Sequence, residues 1–523
     1  MTISKVKMRL LALLMLELQL AVADIQFQRV DLKIPHRYTG GWEHFVGGGI
    51  SSFDCDGDDY PELYLAGGSS SASLLRNRSA SSGGRVHFEL QTPEQLGLKH
   101  VIGSYPLDID NDGILDLVVI RAGENYLLRG EGDCHFSPFP SSLGFTSGDH
   151  WTTAFSASWE AGASLPTLAF GNYVDRMRED GPFEACDDNY LYRPKAEHYG
   201  KALVLSPGYC ALSMLFSDWG HRGRMDLRIS NDRHYYVRHG SEQMWAMEAK
   251  PRLYDQSDGW KNYSLWGMGI ASRDITGDGM PEIFLTSMGD QKLQQLDRQS
   301  SGPSYANATY DRGTTAHRPY TGDDGRPSTG WHAEFADVNN DGRDDIFIAK
   351  GNVEQMLSSA VRDPNNLLVQ DDQGVFREQA LNSGVASFEK GRGATLSDLN
   401  LDGLPDLVVV NRNAAVEIYQ NQSSPAGNWL LLSLSQPAPN TGAVGAWIEV
   451  SDADRTWYRE ITVGGGHAGG SSGLLHFGLG SADSVQLRVT WPDGAKSEWL
   501  KTPTNMLLRL TRSGDKLFKA AND

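Results

Sequence analysis

A short acidic loop, Asp108-Ile109-Asp110-Asn111-Asp112-Gly113-Ile114-Leu115-Asp116, restricts the fold of this chain more than any other stretch. Carboxylates fall at positions one, three, five and nine, with glycine at six. Acids this crowded repel one another unless a cation sits among them. An all-oxygen donor set suits a hard divalent ion, Ca²⁺ before Mg²⁺. An EF-hand would require a bidentate Glu at position twelve and a helix on each side. Position twelve is Val119, inside the apolar run Leu117-Val118-Val119-Ile120, which reads as a buried strand. The loop therefore joins two strands, and Asp116 must close the site.

The pattern recurs. Asp54, Asp56, Asp58 and Glu62 hold the same four positions in one copy, with Asp59 where glycine is expected. Asp274, Thr276, Asp278 and Glu282 form another; Asp337, Asn339, Asp341 and Asp345, then Asp398, Asn400, Asp402 and Asp406, complete the intact set. Two decayed copies fill the gaps. The stretch Asp218 to Leu227 keeps the scaffold, but Gly220 and Arg222 replace two ligands; Trp159 to Leu168 keeps little beyond Pro166 and Leu168. Neither is expected to bind metal.

Copies at intervals of 51 to 63 residues mean repeats of one supersecondary unit. Each is followed by an apolar strand and often by a shorter pair, so the unit has four strands, as a propeller blade does. The chain reads as all-β: a seven-bladed β-propeller over residues 24–422, then a small β-sandwich over 428–511. The last repeat ends at Val416-Glu417-Ile418-Tyr419, one strand short. Ile25-Gln26-Phe27-Gln28-Arg29-Val30 resembles the fourth strands of other repeats and is expected to complete that blade.

Residues 1–23 read as a secretory signal peptide: Lys5, Lys7 and Arg9, then the apolar run Leu10 to Leu16, then Ala21-Val22-Ala23. No later segment approaches the roughly 18 apolar residues of a membrane span, so a secreted or periplasmic protein without a transmembrane anchor is expected. The formal charge of −19 becomes −21 once Lys5, Lys7, Arg9 and Glu17 leave. Seventeen acids sit in ligand positions of the five intact loops, so much of this charge is site chemistry. No basic stripe is present to neutralise phosphates, and nucleic acid is excluded as a partner. Four cysteines allow three pairings. Cys186 and Cys210 flank one polar connection and are paired first, which leaves Cys55 with Cys134.

Long polar connections interrupt the repeats at Gly181 to Gly208, after Ser230, and between the fifth and sixth loops. In a propeller such connections gather around the mouth of the central channel, where a ligand would bind. Arg233, His234, His317, Arg318 and His332 are the candidate pocket residues, with loop packing as the alternative role. No catalytic residue is assigned: no Ser/His/Asp order, Gly-x-Ser-x-Gly elbow or His-Glu-x-x-His helix supports a named reaction.

After Asn421 the grammar changes. Trp429–Leu434, Ala446–Val450, Tyr458–Val463, Leu474–Phe477 and Val485–Trp491 read as strands of a small sandwich. Gly464-Gly465-Gly466-His467-Ala468-Gly469-Gly470 imitates a phosphate cradle, but neither a helix nor Lys-Ser/Thr follows it.

These features together carry a family resemblance. The loops resemble FG-GAP/VCBS repeats, the units of the integrin α-subunit propeller. The C-terminal piece is similar to the ASPIC/UnbV domain through Gly442-Ala443-Val444-Gly445-Ala446, the Gly464–Gly470 loop, His476-Phe477-Gly478-Leu479-Gly480 and Val489-Thr490-Trp491-Pro492-Asp493-Gly494. The combination resembles the cartilage acidic protein family. Animal members carry extra epidermal-growth-factor-like cysteines that this chain lacks, so it resembles the bacterial type. The resemblance implies calcium in about five sites, a role in extracellular binding or adhesion to a protein or glycan ligand, and no general enzymatic activity. The expectation from a different class is an enzyme or biosynthetic accessory, hydrolase-like, working at the channel mouth.

Overall fold

The computed structural model of the chain describes residues 24–232, 237–315, 317–514 and 516–519. The segment read as a signal peptide lies outside them, as do Arg233 and His234. The protein is all-β and propeller-like. Around each acidic loop the strands pair antiparallel in groups of four. The first group is Ile50–Phe53, Glu62–Leu65, Ser73–Asn77 and Phe88–Leu90, hydrogen-bonded in chain order.

The leading strand of every group faces a common axis. Ile50–Phe53, Val101–Leu107, His150–Ser158, Ala211–Ser217, Gly267–Arg273, Gly330–Ala336 and Lys390–Ser397 touch one another in that order, and the last touches the first. The ring closes as the sequence implies. Phe27–Arg29 pairs antiparallel with Glu417–Asn421, so the start of the described chain supplies the outermost strand of the final group. Radial repetition of this kind leaves only the short outermost strands as sheet edges.

Alternation explains the packing. On the strand Asp116–Gly123, Leu117 and Val119 enter one hydrophobic core with Leu63 and Leu65, while Val118 and Ile120 enter the next with Leu168 and Phe170. Successive side chains point to opposite faces, and each sheet is covered on both faces by its neighbours. That is why these strands read as unbroken apolar runs. Two disulfides, Cys55–Cys134 and Cys186–Cys210, are formed. The first ties an acidic loop to the neighbouring sheet.

The C-terminal part is a sandwich of two four-stranded sheets. One holds Leu475–Gly480, Asn428–Ser435, Met506–Ser513 and Lys516–Lys519; the other holds Thr456–Glu460, Trp447–Ser451, Ser484–Thr490 and Leu500–Pro503. Trp491, Leu487 and Phe477 fill the space between them. One difference from the sequence reading matters. The strand expected to run to Val463 ends at Glu460, Ile461 still bonds Ala446 and Gly445, and residues 462–474 leave the sandwich.

Candidate metal centres and the channel plug

Each intact acidic loop is the hairpin turn between the first and second strands of its group. The residue before position one pairs with position nine: Phe53 with Glu62, Leu107 with Asp116, Arg273 with Glu282, Ala336 with Asp345, Ser397 with Asp406. Local chemistry shapes the turn. Asp108 at position one accepts the N–H groups of Asp112 at 3.1 Å and Gly113 at 2.8 Å. Position six is left-handed, with φ of 86° at Gly113 and 84° at Gly403, a conformation that costs glycine nothing. Asp59 adopts φ 70° there without that freedom, and its carboxylate is held by Arg509. The ninth carboxylate anchors the second strand to loop and third strand alike. Asp116 accepts from Ile109 N at 2.7 Å and Gly130 N at 2.8 Å; Asp406 accepts from Leu399 N at 3.0 Å and Asn421 N at 2.7 Å.

These bonds leave particular oxygens over. Asp56 Oδ1, Asp110 Oδ1 and Asn400 Oδ1, all at position three, are buried with no hydrogen-bond partner. Asp54, Asp56 and Asp58 each place one oxygen within 4.8 Å of the others, as do Asp108, Asp110 and Asp116. Burial is the main force on the carboxyls. With neighbouring acids adding to it and backbone N–H groups opposing, Glu62 and Asp116 are pushed up to about 8, Glu282 and Asp398 to about 7. Asp337, Asp345 and Asp406 lie well above the ordinary carboxylate range for the same reasons. Arginines on third strands offset part of the charge: Arg76 pairs with Asp56, and Arg129 with Asp110 at 2.6 Å and Asp112 at 2.7 Å. Where position three is Thr276, its hydroxyl donates to Glu282 at 3.3 Å; Asn339 donates to Asp341 at 3.4 Å.

The decayed loops show what remains when ligands are lost. Asp218 still accepts from Arg222 N at 2.7 Å and Gly223 N at 2.8 Å, so the turn survives. The buried ninth-position Asp226 pairs with Arg224 at 2.9 Å and accepts from Trp219 Nε1 at 3.0 Å and Tyr254 Oη at 2.7 Å. The chain supplies its own cation there. In the weaker copy, Glu160 takes Arg193 at 2.7 Å and Thr167 Oγ1 at 3.0 Å.

The acidic loops are also a seat for the sandwich. Thr441 Oγ1 donates to Asp108, Asn440 N donates to Asn111 Oδ1 at 2.6 Å, Trp457 Nε1 donates to Gly342 O at 2.9 Å, and His476 Nε2 meets Gly403 O at 3.0 Å. From this seat the glycine-rich segment descends into the ring and touches every leading strand. Val463 O accepts from Ser156 Oγ at 2.6 Å; Gly465 N donates to Met214 O and Gly466 N to Ile270 O, both at 2.7 Å. His467 N donates to His332 Nδ1 at 3.1 Å, Gly470 N to Ser104 O at 3.2 Å and Ser472 N to Ser52 O at 3.0 Å; Thr395 and Ser471 share a hydroxyl bond at 3.1 Å. A Cβ on Gly49 or Gly103 would overlap the carbonyl of Ala468. The channel is filled by the protein's own backbone. Glycines on both sides of the contact were the only trace of it in the sequence.

The described residues of the expected channel-mouth pocket lie in different settings. His332 is buried beneath the plug, with Nε2 3.4 Å from Glu334. His317 is half exposed, 3.7 Å from Asp290, and Arg318 is exposed. A cavity of about 810 Å³ lies instead among the sandwich, the plug and the acidic loops, lined among others by Glu334, Arg273, Asp344 and Tyr458.

The family described as ASPIC and UnbV matches residues 436–517. Cartilage acidic protein 1 of Homo sapiens is 28% identical over 169 residues, 30% of this chain and 24% of that protein. Integrin alpha-8 of Gallus gallus is 26% identical over 243 residues, 42% of this chain and 21% of that protein. The matches therefore span about a quarter of the length of these curated relatives. Among solved structures, BBS1N in complex with ARL6DN aligns with a TM-score of 0.43 at 9% identity, covering 77% of this chain and 98% of that one. The chain is thus an all-β protein that carries an ASPIC and UnbV domain over residues 436–517 and is similar in sequence to cartilage acidic protein 1 and integrin alpha-8, which carry FG-GAP repeats.

Proposed function

We propose that the chain is an exported calcium-binding propeller, its strand groups read as seven blades, that works as an extracellular or periplasmic binding or adhesion module. The observation that carries the metal reading is the unpartnered buried oxygen at position three in three separate loops, Asp56, Asp110 and Asn400. A buried polar oxygen without a partner is costly, and the same vacancy of bonding at equivalent positions calls for one shared partner. The other donors are carboxylates and, near position seven, a backbone carbonyl, which suits Ca²⁺. When bound, the ion supplies the charge neutralisation that lets the buried carboxylates ionise. Ligands one and nine stand on adjacent strands, so filling the site braces a sheet of the ring. Export is supported by the two disulfides, which persist in oxidising compartments. No helix among the described residues is long and apolar enough to cross a membrane.

The test is thermal unfolding with Ca²⁺, with Mg²⁺ and after chelation, together with a count of bound metal. A calcium-specific rise with about five ions per chain supports the reading. No bound metal and no shift would leave the loops as acidic turns.

A further inference from the structure

We infer that calcium in the acidic loops controls the seating of the C-terminal sandwich, which swings about a metal-independent sector of the ring and draws its plug with it. The inference rests on the calcium reading above and adds a conformational consequence.

The seat has two chemically different sides. On one side the sandwich meets the decayed loop at Asp218, and the plug meets the leading strands of both decayed repeats. Glu460 accepts from Ser217 Oγ at 2.5 Å and from Asp218 N at 2.7 Å. Trp447 packs on the His221 ring with centroids 4.3 Å apart, and Gly465 N bonds Met214 O at 2.7 Å. The bonds to Ser217, Asp218 and Met214 involve no intact loop, and the buried carboxylate nearby is already neutralised by Arg224; His221 alone reaches across, its Nε2 2.6 Å from Gly279 O of the neighbouring intact loop.

On the other side every contact ends on an intact loop. Arg509 pairs with Asp59, Thr441 with Asp108, Trp457 with Gly342 and His476 with Gly403. Asp59, Gly342 and Gly403 are position-six residues in left-handed conformation, lying between ligands five and nine. Their carbonyls and side chains point at the sandwich only while that turn keeps its shape. A loop that has lost its cation holds crowded acids and relaxes the turn on which the sandwich stands. The plug strand beyond His467 returns past Ser104 and Ser52 toward this side, and the segment before it runs along Ser156 and Met214. Loss of metal therefore releases the returning limb first and leaves the descending limb attached.

Coupling between two sites is reciprocal: a sandwich that is poorly seated must also weaken calcium binding. Hydrogen exchange on the full chain tests the first half. Metal content is measured in parallel, with Ca²⁺ and after chelation. Chelation is expected to speed exchange in residues 466–474 by about tenfold or more, while the strands Ser484–Thr490 and Ala211–Ser217 keep their protection. Equal protection of 466–474 in metal-loaded and metal-free chain overturns the inference and leaves the calcium reading intact. Loss of protection everywhere at once also overturns it, because the metal then holds the ring and not the seat. A metal count of zero overturns both. The second half uses Arg509→Ala with Trp457→Phe, which remove the contacts to Asp59 and Gly342 and touch none of the proposed metal ligands. Calcium titration of this variant is expected to weaken by about fivefold or more, with the sandwich strands still protected. An unchanged titration overturns the coupling.

Discussion

The N–H of Gly47 donates to Nε2 of His467 at 3.0 Å, joining residues 420 apart in the chain. The other ring nitrogen lies 3.1 Å from Met268 O, which fixes the proton on Nδ1. Burial lowers this imidazole to about 3, so it stays neutral and serves as a donor–acceptor strut. One side chain thus joins the plug to two sides of the ring. Plug and ring are one packed body, and that is the basis of the first expectation.

Gly103→Ala should unseat the plug. The added Cβ meets the carbonyl of Ala468, a backbone atom that cannot turn aside. Overpacking of this kind costs about 1–3 kcal/mol. Thermal unfolding should show the loss, and hydrogen exchange should place it in residues 466–474.

Asp56→Ala removes the position-three oxygen from one loop. Bound calcium should fall by one ion per chain. At roughly 100-fold excess of calcium over its dissociation constant, one lost site removes about 2.7 kcal/mol of calcium-dependent stabilisation. Elemental analysis and melting with and without chelator check both parts.

Calcium affinity should fall on acidification from pH 8 to pH 6. In the metal-free chain Glu62 and Asp116 hold protons up to about 8, and Glu282 and Asp398 up to about 7. The ion must displace those protons, which costs up to about tenfold in affinity per pH unit for each proton released. The sign is fixed by the upward direction of the shifts. Raised carboxyls weaken the metal-free fold as pH rises through their range, so stabilisation by calcium should widen toward pH 8. Titrations at pH 6, 7 and 8 with identical midpoints would contradict it.

Arg224→Met should destabilise the chain without altering its metal content. Asp226 is buried, and the guanidinium at 2.9 Å is its charge partner. The arginine is partly exposed, and Trp219 and Tyr254 keep their bonds to the carboxylate, so the expected cost is about 1–2 kcal/mol. Recovery of this loss by added Ca²⁺ would show that the decayed loop still binds.

Much of the ring was legible because its signals are local. Asp108, Asn111, Gly113 and Asp116 describe a turn within nine residues, and the turn repeats. The strand near Phe27 matched other outer strands in pattern, and it pairs with Glu417–Asn421. The pairing of Cys55 with Cys134 followed once Cys186 was matched to Cys210. Leu500–Pro503, Met506–Ser513 and Lys516–Lys519 were not read as strands, and the other five sandwich strands were read to within a few residues, except for an overrun at Ile461–Val463. Those apolar residues read as a continuing strand because periodicity reports burial and not the partner that provides it.

Sequence alone determined the all-β class, the repeated acidic turn and the strand that closes the ring, since each depends on backbone conformation and side-chain alternation over a short span. Only the tertiary structure decided where the glycine-rich loop goes and what the acidic loops support. Gly49, Gly103 and Gly469 carry no side chain, and their role is set by an atom hundreds of residues away that leaves no room for a Cβ. A residue defined by what it must not contain has no local signature. The same holds for Asp59, whose strained turn is understood only when Arg509 of the sandwich is beside it.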